Sequence, residues 1–156
     1  AVRYFDLKQD RKTNYIFDYD NMLDPKGDTA VYLFYAYARI ISILKKSEKD
    51  MAELSKTCKI TVSEDKKEGD AERTLLLHIL KFPDVIESAL NELKLHYLCS
   101  YCYELCTLLT SFYSTCRVLD PDNEERSNSR LLICDAAKKA LDRCFALMGL
   151  TPLDQI

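Results

Sequence analysis

Glycine and proline are scarce in this chain, with three and four among 156 residues. Ala, Leu, Lys and Glu are plentiful. That balance favours helices and disfavours a sheet sandwich, which needs many turn residues. Three scattered glycines also cannot build a Gly-rich phosphate loop. Histidine occurs twice, at His78 and His96. Neither stands in a pattern with Ser or Cys that suggests a nucleophilic triad. His78 lies in an apolar run and reads as a packed side chain, and His96 reads as a structural cap at a helix start. No apolar run approaches the roughly 20 residues of a membrane span, and no charged, apolar, small-residue leader opens the chain. The expectation is one soluble, cytosolic domain with no membrane partner.

An excess of positive charge is missing too. The net charge of −3 argues against a generic nucleic-acid or DNA coat. The distribution is uneven, however. Residues 48–72 hold eight acids against five lysines, and residues 120–126 hold four acids against Arg126. Outside these two segments the chain is net +3, with Arg39, Lys45, Lys46, Arg130, Lys138, Lys139 and Arg143 on two candidate helices. Acidic loops beside mildly basic helices suit selective contact with a few bases.

Cysteine is present in an odd number, seven. Cys99, Cys102 and Cys106 fall at i, i+3 and i+7, as a zinc or redox pair with a neighbour would. A matching second ligand pair is missing and the surrounding pattern is apolar, so buried reduced thiols are the reading that fits.

Periodicity lays out an all-α chain of about five to six helices. The first runs from the Gly27-Asp28-Thr29 turn and cap to about Lys46, and a short polar one covers roughly 47–58 from a start at Ser47. Residues 59–70 read as a charged, disordered loop. A third helix from Ala71 ends at Phe82-Pro83, and Pro83 opens a fourth with Val85, Ile86, Leu90 and Leu93 on its apolar face. The longest element spans about Leu95 to Val118. After the Asp120-Pro121-Asp122-Asn123 break, a last helix starts at Asn128 or Ser129 and ends at Gly149, a C-terminal cap. Residues 1–26 mix charges and aromatics without clean periodicity.

The first long helix separates into two stripes. Ala30, Leu33, Tyr37, Ile40, Ile41 and Leu44 form a core face. Tyr32, Tyr35 and Arg39 cluster on roughly the opposite side. Two phenols and a guanidinium there suit stacking on unpaired bases, but periodicity alone favours tyrosines packed on a neighbouring helix. On the longest helix, Leu98, Tyr101, Cys102, Leu105, Leu108, Leu109 and Phe112 form a core stripe. Tyr103, Cys106, Thr110, Tyr113 and Arg117 form a second one, so Tyr113 and Arg117 can reach another surface.

The run Gly27-Asp28-Thr29-Ala30-x-Tyr32-Leu33-x-Tyr35-Ala36-x-x-Arg39-Ile40 resembles the helix that opens the anticodon-binding domain of arginyl-tRNA synthetases. Upstream, Asn14-Tyr15-x-Phe17-Asp18-x-Asp20-x-Met22-Leu23 is similar to the end of that family's catalytic domain. Downstream, Leu80-Lys81-Phe82-Pro83, His96-x-Leu98-x-x-Tyr101-x-Tyr103-Glu104-Leu105, Phe112-Tyr113-x-x-Cys116-x-Val118, Arg130-Leu131-Leu132 and Leu147-Met148-Gly149-Leu150-Thr151-Pro152 follow in the family's order. The resemblance implies a class I synthetase anticodon-binding bundle over 27–156, preceded in 1–26 by the tail of a catalytic domain. Tyr4, Phe5, Tyr15, Phe17 and Tyr19 would then be exposed, orphaned interface residues. It also implies that Tyr32, Tyr35 and Arg39 line the anticodon pocket, with Tyr113 on the facing helix and the terminal Ile156 reaching in. Ile156 stands where the family commonly ends in Met, and Val31 where it frequently has Pro.

The implied partners are the anticodon loop of tRNA(Arg), the catalytic domain of the same chain and possible other proteins of a synthetase complex. No catalytic residue, metal or cofactor is expected in this chain; ATP with magnesium is implied for the parent enzyme. A protein-interaction module with an exposed tyrosine stripe is the main alternative from another class.

Overall fold

In the computed structural model, which describes residues 1–152, every regular element is a helix. There are eight among the described residues: α1 (Val2–Leu7), α2 (Tyr19–Leu23), α3 (Ala30–Ser47), α4 (Met51–Thr57), α5 (Lys66–Leu80), α6 (Phe82–Glu92), α7 (His96–Thr115) and α8 (Glu124–Met148). The all-α expectation holds, and the count exceeds five to six because the short α1 and α2 lie in the aperiodic first segment.

Local chemistry sets most boundaries. Thr29 caps α3 by accepting from the Tyr32 amide at 3.2 Å, and Asn123 caps α8 through the Arg126 amide at 2.9 Å. Gly149 ends α8 at φ +64°, a left-handed turn that a side chain resists. Asp50, not Ser47, caps α4, because Glu48 has already turned left-handed to end α3. His96 is no cap: the residue ahead of α7 is Leu95, which makes no side-chain capping bond.

The bundle is organised around α7 and α8. α7 packs on α1, α3, α5 and α6, while α8 packs on α3, α4, α5 and α7. From Ser129 to Asp135, seven consecutive residues of α8 are buried, so helices or loops cover this stretch on all sides. Leu105, Cys106, Phe112, Leu131, Ile133, Leu141 and Phe145 form the centre of the core.

Arg130 departs furthest from expectation. It is not part of a basic surface but is wholly buried. Its Nε donates to Glu72 Oε1 at 2.7 Å, Nη2 to Glu68 Oε2 at 2.7 Å, and Nη1 to the Arg117 carbonyl at 3.1 Å. Glu72, also buried, accepts from the Ser63 amide at 2.6 Å through its other oxygen. This network orders much of the segment expected to be disordered. Helix α5 starts at Lys66 instead of Ala71, capped by Asp65; Val62 and Ser63 run against it, and the Thr61 carbonyl accepts from Ser129 of α8. A Cβ on Gly69 would lie 2.3 Å from the Ser63 carbonyl oxygen, so only glycine lets that backbone pass.

The first segment also differs from expectation. Tyr4 and Phe5 are buried, not exposed: Tyr4 donates to Asp28 Oδ1 at 2.6 Å, and α1 packs on α7. Tyr15, Phe17 and Tyr19 remain exposed, in an edge-to-face series that begins on Phe5.

Replacing Arg130 with Ala leaves the buried Glu72 carboxylate without its cation. The expected loss is about 3–5 kcal/mol of unfolding free energy. Urea denaturation measures it, and a change under about 1 kcal/mol would contradict the structural role assigned to this pair.

Candidate nucleic-acid interface

Helix α3 presents two surfaces because its apolar stripe covers only part of its circumference. Leu33, Ala36, Tyr37, Ile40 and Ile41 face the core, where Tyr37 and Phe34 pack edge-on against Phe145 of α8. Tyr37 also donates to Asp142 at 2.6 Å. The helix is thereby held against rotation, and Tyr35, Arg39, Ser42 and Lys46 are left on one outward face at spacings of four, three and four.

The C-terminal half of α7 supplies the opposite wall. Tyr113 follows the fully buried Phe112 and is therefore turned outward, 44 % exposed. Tyr35 is 53 % exposed. Between them lies the Arg39 guanidinium, its Cζ 5.3 Å from the Tyr35 ring centre and 5.2 Å from that of Tyr113. These are cation–π distances. Arg39 has no carboxylate partner among the described residues, so its donors are not committed to an anion.

The two walls enclose an open groove of about 780 Å³. Tyr35, Arg39 and Tyr113 line one part, and Ser42, Lys46, Arg117 and Leu119 continue it. Arg117 is already engaged, with Nη1 3.6 Å from Asp122 and 3.9 Å from Asp120. Arg126 holds the Asp120 carboxylate from the other side at 2.6 Å, and that hydrogen bond is the main cause keeping its pKa below the ordinary 3.8.

Three of the four expected residues within the described region therefore converge: Tyr35, Arg39 and Tyr113. Tyr32 does not line this groove. Its ring packs on Tyr103 of α7, centres 5.5 Å apart, and its hydroxyl is 3.4 Å from Thr110 Oγ1. Ile156 lies outside the described residues. Ser42 and Lys46 were not anticipated as part of a site, although their i+3 and i+7 positions from Arg39 extend the same helical face. Cys99, Cys102 and Cys106 are buried in the core. Burial pushes Cys99 up to about 12, and Cys102 is raised chiefly by its hydrogen bond with Cys106. Both shifts disfavour the thiolate that metal ligation or redox exchange requires.

The site is thus an open groove on a helical bundle, lined by two exposed phenols and by a guanidinium that has no carboxylate partner among the described residues. The profile of the DALR anticodon binding domain matches residues 33–156, and the chain belongs to that family. Over its whole length the chain is 46 % identical to the chloroplastic/mitochondrial arginine–tRNA ligase of Arabidopsis thaliana, covering 23 % of that protein. It is likewise 46 % identical over 98 % of its length to the cytoplasmic arginine–tRNA ligase of the same plant, covering 25 % of it. The crystal structure of the Plasmodium falciparum arginyl-tRNA synthetase superposes with a TM-score of 0.85 at 42 % identity, over 99 % of this chain and 26 % of that one. The chain thus spans about a quarter of the length of the relatives it matches.

The different settings of the two tyrosines have a measurable consequence. Tyr35→Ala is expected to change stability by no more than about 0.5 kcal/mol. Tyr32→Ala, which removes an interhelical ring pair, is expected to cost about 1–2 kcal/mol. Urea denaturation of both variants tests the contrast, and equal losses would refute it.

Proposed function

We propose that this chain recognises the anticodon loop of tRNA(Arg) as the anticodon-binding part of an arginine–tRNA ligase, the enzyme that joins arginine to its tRNA with ATP. The observation that carries the reading is the Arg39 guanidinium held between the Tyr35 and Tyr113 rings in an open groove. Anticodon bases can be splayed out, stacked on such rings and read on their edges by guanidinium donors. Each stacked base contributes roughly 1–3 kcal/mol. Two or three contacts of this size discriminate among anticodons while leaving most of the affinity to the rest of the enzyme.

In this reading Tyr35, Arg39 and Tyr113 touch the bases, and Tyr32 sets the spacing of α3 and α7 behind them. Residues 1–26 belong to the end of the catalytic domain and 27–156 to the anticodon-binding domain. The exposed Ile16, Phe17 and Tyr19 are available to the catalytic domain as a contact surface. ATP and its magnesium belong to that domain, and the aminoacylation chemistry with them. Among the described residues no helix is long and apolar enough to cross a membrane. The cytoplasm is the compartment we assign, and association with other synthetase-complex proteins remains compatible with the exposed surface.

Chemical-shift mapping with an arginine-tRNA anticodon stem-loop tests the proposal. Shifts centred on Tyr35, Arg39 and Tyr113, weakened by a middle-base variant, are the expected result. Shifts indifferent to base identity, or confined to another face, would count against anticodon reading and favour a protein-binding surface.

A further inference from the structure

The groove is longer than its stacked end, and its charges are unevenly committed. Three cations line it: Arg39 between the rings, then Lys46 and Arg117 farther along. Arg117 is neutralised by Asp120 and Asp122. Lys46 has no ion-pair partner among the described residues, is exposed, and lies seven residues beyond Arg39 on the same face of α3. That spacing is about 10 Å along the helix axis. A base stacked at Tyr35 and Tyr113 carries its sugar and phosphate with it, and among the described residues the other groove cation without an ion-pair partner is Lys46. An ammonium on a flexible stem suits a phosphate oxygen better than a base edge. Such contacts position a nucleic acid without reading its sequence.

We propose that Lys46 holds one backbone phosphate beside the stacked anticodon base, and that the Asp120 and Asp122 carboxylates end the track there. The inference rests on the anticodon reading and adds a size to it: one nucleotide enters this part of the groove. A second phosphate at Arg117 meets a guanidinium whose charge Asp122 and Asp120 already offset. Base choice and phosphate anchoring are therefore separate functions of one helix face, Tyr35 and Arg39 serving the first and Lys46 the second.

The dependence of binding on salt separates these roles. For single-stranded nucleic acid, each neutralised phosphate contributes about 0.7 to the slope of log affinity against log salt. Affinity of the 156-residue chain for a fluorescent anticodon hairpin is measured between about 50 and 200 mM salt, over which phosphate contacts are weakened strongly. Lys46→Gln is expected to flatten the slope by about 0.7 and to weaken binding equally for the cognate hairpin and a middle-base variant. Lys46→Arg is expected to restore the slope. Asp122→Asn, which releases Arg117, is expected to steepen it. Arg143→Gln, an exposed cation on the far part of α8 beside Phe82 and Pro83, is expected to leave it unchanged.

An unchanged slope in Lys46→Gln, or an equal loss in Arg143→Gln, would overturn the phosphate contact. An unchanged slope in Asp122→Asn would overturn the carboxylate stop. A wild-type chain that binds the hairpin but ignores the middle base would instead overturn the anticodon reading, and this inference with it.

Discussion

A guanidinium removed from water must find anionic partners and satisfy its donors, and the burial of Arg130 imposes that requirement on half the bundle. Meeting it brings together Glu68 and Glu72 from α5, the carbonyl of Arg117 after α7, and, through Glu72, the amide of Ser63. Three parts of the chain, residues 63–72, Arg117 and Arg130 itself, are thereby held together. Desolvating these charges is costly, so the net stabilisation of the cluster over an apolar replacement is small. Its effect is on arrangement: a slipped α5 or a displaced loop would strand a buried charge.

The same constraint reaches the groove. Arg130 donates to the backbone of Arg117, a residue that lines the groove four positions after Tyr113. The wall formed by the end of α7 is therefore anchored from inside the core, while α3 is held by Tyr37 and its neighbours against α8. Tyr35 and Tyr113 are exposed side chains on rigid elements, positioned before any ligand arrives. Preorganisation of this kind lowers the ordering cost of binding, which matters when only a few weak stacking contacts are available.

Exposure alone does not separate a binding tyrosine from a packing one. Tyr32 and Tyr35 sit three residues apart on the same helix and look alike as letters. What distinguishes them is the neighbour across the gap. Tyr103 and Thr110 face Tyr32 and close around it, whereas Tyr113 stands off far enough to leave a guanidinium between the rings. The register of α7 against α3 decides this, and register comes from core packing by residues such as Leu33, Cys106 and Phe112.

The sequence by itself determined the helical class, the cap at Thr29, the C-terminal stop at Gly149 and the two-sided character of α3. These follow from interactions within a few residues: hydrogen bonding at caps, left-handed φ at glycine, and the 3.6-residue period. Tertiary structure decided the rest. Arg130 read as one more surface cation because the carboxylates that bury it lie 58 and 62 residues away. The stretch before Ala71 read as disordered because its charges look solvated until Arg130 meets Glu68 and Glu72. Tyr4 and Phe5 read as orphaned because their cover comes from α7, about a hundred residues downstream. Each of these outcomes is a pairing between distant segments, and a linear pattern carries the residue types for it but not their meeting.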